Sequence, residues 1–173
     1  VVIDEAYIDF SDKASWLTKL NKYPQMVILQ TFSKAWGLAA ARCGMAFASE
    51  EIISFFNKVK YPYNINILTQ KLILEKLEQV EIKNNWVKEI LSQRTLMIEE
   101  LKQLSIVEHI YPSDANFVLV KVDDANLRYK QLVEKGIIVR NRNSVTLCEN
   151  CLRITIGTAQ DNKELLNALT SLA

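Results

Sequence analysis

The chain has 173 residues, 49% of them hydrophobic, enough for a substantial core as one domain or as part of a larger one. Lys and Arg number 21 against 20 Asp and Glu, so no excess of charge argues for nucleic acid or an anionic membrane as a partner. The longest weakly polar stretch, residues 37–48, is interrupted by Arg42 and too short to span a bilayer, and no signal peptide is visible.

The first residue is a valine already inside the strand-like run VVIDEAY, and the expectation is a chain that begins partway through a larger protein, with an N-terminal part missing. Residues 1–3 are a short apolar run ending in Asp4, the pattern of a buried parallel strand whose carboxyl end carries polar groups. Residues 13–21 read as a short helix with Trp16, Leu17 and Leu20 on one face. Residues 26–30 (MVILQ) repeat the strand pattern and lead into Thr31-Phe32-Ser33-Lys34, so strand, helix, strand suggests an α/β unit. Residues 43–48 read as a further strand. Ser49 reads as the N-cap of a helix over 50–59, with Glu50 and Glu51 in the first turn, where the helix dipole favours acids.

Residues 69–104 carry Leu72, Ile73, Leu77, Val80, Trp86, Ile90, Leu96, Ile98 and Leu101 at helical spacing, as one long helix or two. The character then changes. Residues 116–122 (NFVLVKV) are strand-like, 127–135 helix-like, and Gly136 stops that helix. Strands follow at 137–140 and 152–156, and Asp161 with Glu164 reads as a capping box opening a last helix. The second half is therefore a small α+β domain joined to the first by long helices.

Cys148 and Cys151 form Cys-Glu-Asn-Cys, but a structural zinc site needs four ligands and only Cys43 and His109 remain to help. A redox pair usually opens a helix, whereas Cys151 leads into the strand-like LRITI. Three free thiols in a reducing cytoplasm, and no metal site, are expected. His109 sits in an apparent loop (SIVEHIYPSD) and is assigned no role.

The charges in TFSKAWGLAAARCG are the main chemical signal. Lys34 follows a fully apolar strand, and α/β sheets place ligand groups at the carboxyl ends of their strands. An amine must be neutral to attack a carbonyl and form a Schiff base, and apolar surroundings favour that form. Asp4 also ends a strand. If the two strands are neighbours, Asp4 and Lys34 converge on one sheet edge; otherwise Asp4 simply begins a turn. Ser33 and Arg42 supply what a phosphate needs, a hydroxyl and a planar cation with several donors, although Arg42 could equally pair with an acid.

DEAYIDF (4–10), TFSKAWGLAAARCG (31–44), SDANFVLV (113–120) and CLRITIGT (151–158) occur in that order along the chain. Together they resemble the histidinol-phosphate aminotransferases, a family of pyridoxal-phosphate enzymes with the aspartate-aminotransferase fold, PLP-dependent transferase fold type I. The resemblance implies an α/β fold in which residues 1–100 are the end of the large cofactor domain with its connecting helices, and 101–173 the small domain. It implies pyridoxal 5'-phosphate as cofactor. Lys34 would form the Schiff base and, once displaced, shuttle a proton. Asp4 would pair with the pyridine nitrogen and keep it protonated. Tyr7 would donate a hydrogen bond to the phenolic oxygen, unless it is a packed aromatic. Ser33 and Arg42 would hold the cofactor phosphate, with Thr31 a further candidate.

For the substrate, Arg153 would bind a carboxylate bidentately. Arg140 lies where the family has an arginine that reaches the substrate phosphate, with Arg142 an equal candidate, and Asn116 would shape the active-site wall. Tyr61-Pro62-Tyr63-Asn64 would approach the pocket or serve as a hinge or packed loop. The implied reaction converts histidinol phosphate and 2-oxoglutarate to imidazole-acetol phosphate and glutamate, in a cytoplasmic homodimer with active sites at the subunit interface. The alternatives are an aminotransferase for aromatic amino acids and a threonine-phosphate decarboxylase, which share Asp4, Lys34 and Arg42, and a non-catalytic aminotransferase-like binding domain. In the family, an N-terminal half supplies phosphate-cradling amides, a stacked aromatic ring and an asparagine near the phenolic oxygen. None of these is among the 173 residues, so this polypeptide alone is expected to bind the cofactor weakly or not at all and to be essentially inactive.

Overall fold

The computed structural model describes residues 1–173, which fall into two units, Val1–Val87 and Lys88–Ala173. In the first unit, β1 (Val2–Asp4), β2 (Val27–Thr31) and β3 (Gly44–Phe47) form a sheet in the order β1-β2-β3. β1 runs parallel to β2, with Val2 opposite Val27 and Asp4 opposite Leu29, and β3 runs antiparallel to β2. The parallel pairing is as expected, but β1 is not buried. It is the edge strand, and Val2 is 64% exposed.

The connection from β1 to β2 is also tighter than the sequence suggests. The short helix expected over 13–21 is a 3-10 helix at Trp16–Lys22, capped by the Ser15 side chain, which accepts from Leu17 N. Pro24 disfavours helical backbone at Tyr23, which confines the segment from its C-terminal side. Trp16 is accordingly not on a buried face; it is exposed, with Lys19 Nζ 4.5 Å from its ring centroid. α1 (Glu50–Val59) follows Ser49, whose hydroxyl makes no cap bond, although its carbonyl accepts from Ile53 N. The long helical pattern is two helices, α2 (Ile67–Leu77) and α3 (Val80–Leu101). Asn66 caps α2 by accepting from Thr69 N at 2.9 Å. The boundary between the units falls inside α3. Buried apolar residues of the first unit are Phe10, Met26, Val27, Ile28, Phe32, Ala35, Ile73 and Val87.

The second unit holds β4 (Val107–Tyr111), β5 (Phe117–Val122), α4 (Ala125–Glu134), β6 (Arg140–Asn141), β7 (Cys151–Thr155) and α5 (Ala159–Thr170). Its sheet has the order β4-β5-β7-β6 and is antiparallel throughout. On β5 the two-residue period sends Val118, Val120 and Val122 into the core, where Leu152 and Ile154 of β7 join them. Met97 and Leu101 of α3, Leu132 of α4, and Leu165 and Leu169 of α5 complete it.

Three local expectations need correction here. His109 lies in β4, not in a loop, with its ring edge-on to Tyr111 at 4.5 Å. β6 is only two residues long, because Ile138 is 78% exposed and the chain before Arg140 makes no ladder. The capping box of α5 is Thr158 with Asp161, one turn earlier than Asp161 with Glu164. The Thr158 hydroxyl accepts from Asp161 N, and the Asp161 carboxylate accepts from Thr158 N. Glu164 instead accepts from Gln160 Nε2 within the helix. Gly136 does end α4, adopting φ +78°, which glycine takes without a Cβ penalty. Cys43, Cys148 and Cys151 are all free thiols; burial pushes the Cys151 thiol up, the character of a structural cysteine. No helix is long and apolar enough to cross a membrane.

Candidate active site

Parallel pairing of β1 with β2 brings the carboxyl ends of both strands to one edge of the sheet. Asp4 and the run from Thr31 to Lys34 therefore leave the sheet on the same side, the edge where α/β sheets bind ligands. Asp4 is exposed and also starts a turn, its Oδ1 accepting from Ala6 N at 2.9 Å. Asp4 thus both shares an edge with the run to Lys34 and begins a turn.

Lys34 is set by its neighbours. Phe32 and Ala35 are each 4% exposed and anchor the loop on either side of it. Gly37 N–H donates to Lys34 O at 2.9 Å, and φ +67° at Gly37 turns the following chain so that Leu38 N–H donates to Phe32 O at 2.9 Å. The resulting tight turn presents Lys34 half-buried, with Nζ 5.0 Å from the Tyr7 ring centroid. Tyr7 precedes a 3-10 helix (Ile8–Phe10) that drives Phe10 into the core, and this fixes the aromatic beside the amine.

The residues expected to bind a phosphate lie where β2 meets β3. Thr31 Oγ1 donates to Cys43 O at 3.4 Å and accepts from Ser33 N at 3.0 Å, which ties Thr31, Ser33 and the segment after Arg42 together. Arg42 ends a short 3-10 helix (Ala39–Ala41) in left-handed backbone, φ 49°, an uncommon conformation for a residue with a side chain. Its guanidinium has no carboxylate partner and donates only to Ala39 O at 3.1 Å, leaving most of its donors available. The ion pair considered from sequence is not made. Tyr61 and Tyr63 are exposed, whereas Asn64 lines a cavity of about 340 Å3 with Cys43, Ile65, Gln70, Ile73 and Leu74.

One residue at this edge had no role in the sequence reading. Glu5, 6% exposed, accepts from Ser15 Oγ at 2.6 Å, Trp16 N at 2.7 Å and Gln30 Nε2 at 3.0 Å. Burial alone would raise its pKa; the three hydrogen bonds outweigh burial and hold the carboxyl below its ordinary range. Glu5 thus fastens the turn after Asp4 to β2. No local pattern could reveal it, because two of its partners are 10 and 25 residues away.

In the second unit, β6 and β7 set Arg140 directly opposite Arg153, so both lie on the sheet face away from the core. Two like charges facing each other on neighbouring strands are destabilising unless an anion lies with them. The Arg153 guanidinium lies over the Phe117 ring at 5.0 Å, and its Nε is buried without a hydrogen-bond partner. A buried, unpartnered donor on such a pair is the chemistry of a carboxylate or phosphate site. Asn116 opens β5, where its carbonyl accepts from Ile156 N. The turn before it is locked by Ser113 Oγ, which donates to Phe117 O, and by Arg94 Nη1, which donates to Ala115 O at 2.7 Å. Arg142 uses its backbone N–H to bond Cys151 O.

Comparison with known proteins is consistent across sequence and structure. Residues 1–169 match the family model described as aminotransferase class I and II. The chain is 55% identical over 172 residues to the histidinol-phosphate aminotransferase of Flavobacterium psychrophilum, covering 99% of this chain and 49% of that protein. It is 53% identical over 169 residues to the enzyme of the same name from Cytophaga hutchinsonii, covering 98% and 49%. The chain thus spans about half the length of the curated relatives it matches. Among solved structures, the histidinol-phosphate aminotransferase of Clostridium acetobutylicum superposes with a TM-score of 0.92 at 23% identity, covering 99% of this chain and 53% of that one. The Sinorhizobium meliloti enzyme, solved in complex with pyridoxal-5'-phosphate, superposes with a TM-score of 0.86 at 25% identity, covering 99% and 49%.

Proposed function

The chain belongs to the class I and II aminotransferases, and from that premise we propose that it is part of a pyridoxal-phosphate-dependent transaminase of histidine biosynthesis. Its reaction would convert histidinol phosphate and 2-oxoglutarate to imidazole-acetol phosphate and glutamate. The relatives above half identity are named for that activity, which supports the substrate assignment.

The residues at the sheet edge fit pyridoxal 5'-phosphate by the chemistry of the donor set. There is a half-buried amine for its aldehyde, a carboxylate for its ring nitrogen, and two hydroxyls with an uncommitted guanidinium for its phosphate. When bound, this cofactor supplies an electron sink for the carbon that loses a proton. Lys34 would hold the cofactor through Nζ and, as a free amine, take up and return the proton at that atom. Asp4 would keep the pyridine nitrogen protonated by offering it a carboxylate oxygen. Tyr7 would donate from its hydroxyl to the phenolic oxygen, and Ser33, Arg42 and Thr31 would bind the phosphate. Arg153 would take the substrate carboxylate as a bidentate pair, Arg140 the substrate phosphate, and Asn116 would form part of the pocket wall. The proposed domains are 1–100 and 101–173, and the proposed working form is a cytoplasmic homodimer.

The observation that carries this reading is Lys34 against Tyr7, on the same sheet edge as Asp4. The test is an assay of the full-length protein with pyridoxal phosphate against paired amino donors with and without a phosphate group. Preferential turnover of histidinol phosphate is expected. Equal or better turnover of an unphosphorylated aromatic amino acid would move the assignment to the aromatic aminotransferases, and release of carbon dioxide from threonine phosphate would move it to a decarboxylase.

A further inference from the structure

Lys83, in the first turn of α3, is not part of the site just described, yet it touches both loops that build it. Its Nζ lies 2.8 Å from Asp9 Oδ1, and the pair is largely withdrawn from water, with side chains 14% and 28% exposed. The same ammonium lies 5.4 Å from the ring centroid of Trp36. Asp9 is two residues beyond Tyr7, and Trp36 two residues beyond Lys34. Trp36 in turn meets the buried Phe32 ring edge-on at 5.9 Å. The contacts close into a ring. Tyr7 touches Lys34 at one point, and Asp9, Lys83 and Trp36 join the same two loops at another.

This second tie has a distinct physical value. The Tyr7–Lys34 contact is a cation over an aromatic face, which tolerates sliding of the ring. A charge-assisted hydrogen bond at 2.8 Å in a poorly solvated setting is directional and fixes one loop against the helix. The aromatic face of Trp36 fixes the other loop against the same nitrogen. Resting on the transaminase reading, we infer that Lys83 is a positioning residue: acting through Asp9 and Trp36, it holds the hydroxyl of Tyr7 and the amine of Lys34 at the separation the cofactor's phenolic oxygen and aldehyde carbon require. It touches neither cofactor nor substrate.

The test uses the full-length enzyme and compares Lys83→Met, which keeps the stem and removes the charge, with Lys83→Arg, which keeps a donor for Asp9 and a cation for Trp36. The first readout is the dissociation constant for pyridoxal phosphate, from its visible absorbance and from quenching of protein fluorescence, without substrate. The second is the split between kcat and KM. Lys83→Met is expected to weaken cofactor binding and lower kcat, each on the order of tenfold, with KM nearly unchanged, as for a small misplacement of reacting groups. Lys83→Arg is expected to restore most of both. Asp9→Asn is expected to reproduce the loss, and adding it to Lys83→Met to cost nothing more, because both break one link.

The inference is overturned if Lys83→Met lowers only the unfolding temperature and leaves cofactor affinity and kcat unchanged, or if its effect is not relieved by Lys83→Arg. Should Lys83→Met fail to fold, Asp9→Asn and Lys83→Arg decide by the same readouts. Lys34→Ala separates this inference from the reading beneath it. If wild type binds no cofactor, or Lys34→Ala keeps the visible band, the transaminase reading fails. If wild type binds and Lys34→Ala loses the band while Lys83→Met is silent, only the role of Lys83 fails.

Discussion

β5 in the second unit and β1 with β2 in the first are comparably apolar, but they are covered very differently. On β5, Val118, Val120 and Val122 are 0–2% exposed, sealed by helices on one face of an antiparallel sheet. In the first unit Ile28 is fully buried, but Leu29 is 36% and Val2 64% exposed, and α1 buries no residue at all. An antiparallel sheet is satisfied with one covered face, whereas parallel strands are built for cover on both. The second unit therefore owns a self-sufficient core. The first unit carries the amine, the carboxylate and the guanidinium, and specific polar ties, Glu5 to Ser15 and Gln30 and Lys83 to Asp9, fasten the segments beside them.

The largest effect that would sharpen this contrast comes from paired core truncations. Leu152→Ala in β7, fully buried, is expected to cost about 2–5 kcal/mol by urea unfolding. Leu29→Ala in β2, already 36% exposed, is expected to cost roughly 1 kcal/mol or less. Equal costs would mean that the two units are not differently covered.

Next in size is the polar tie of the first unit. Glu5→Gln is expected to cost about 1–3 kcal/mol at neutral pH, because three donors lose a charged acceptor. The sign with pH follows from the lowered folded-state pKa. The contribution of Glu5 is fully present above the ordinary glutamate value of 4.5 and is lost as pH falls below it through the folded value. Urea midpoints measured downward from pH 7 should therefore converge for wild type and Glu5→Gln in acid. A gap that stays constant would show that the ionised carboxylate is not what fastens the turn.

These two regions also differed in how far they could be read from residues alone. The alternation in NFVLVKV located β5, and the apolar runs before Asp4 and Thr31 located β1 and β2, because a two-residue period or a continuous run is a local signal. β4 was not legible: its polar Glu108 and His109 are exposed and its register breaks between Val107 and His109. The 3-10 form of residues 16–22 and the true cap of α5 at Thr158 turn on single hydrogen bonds that several spacings could have satisfied. At the proposed site, Lys34 and Asp4 were singled out from their places at the ends of apolar strands, and Ser33 and Arg42 from the donors they offer a phosphate. Glu5 and Lys83 were not, because Lys83 meets a partner 74 positions away in the chain.

The smallest effect belongs to the second unit. Thr158→Ala removes one half of the α5 capping box and is expected to cost about 1 kcal/mol. It should leave cofactor binding by the full-length protein unchanged, since its partner Asp161 belongs to the same helix. A change in cofactor affinity from Thr158→Ala would break the division of labour between the two units.

The central claim, that Lys34 is the residue that holds the cofactor, is tested most directly by reducing the pyridoxal-phosphate-loaded full-length protein with borohydride and mapping the labelled peptide. The label is expected on Lys34, within the segment TFSKAWGLAAAR. A label on any other lysine, or none at all in a protein that retains transaminase activity, would contradict the account.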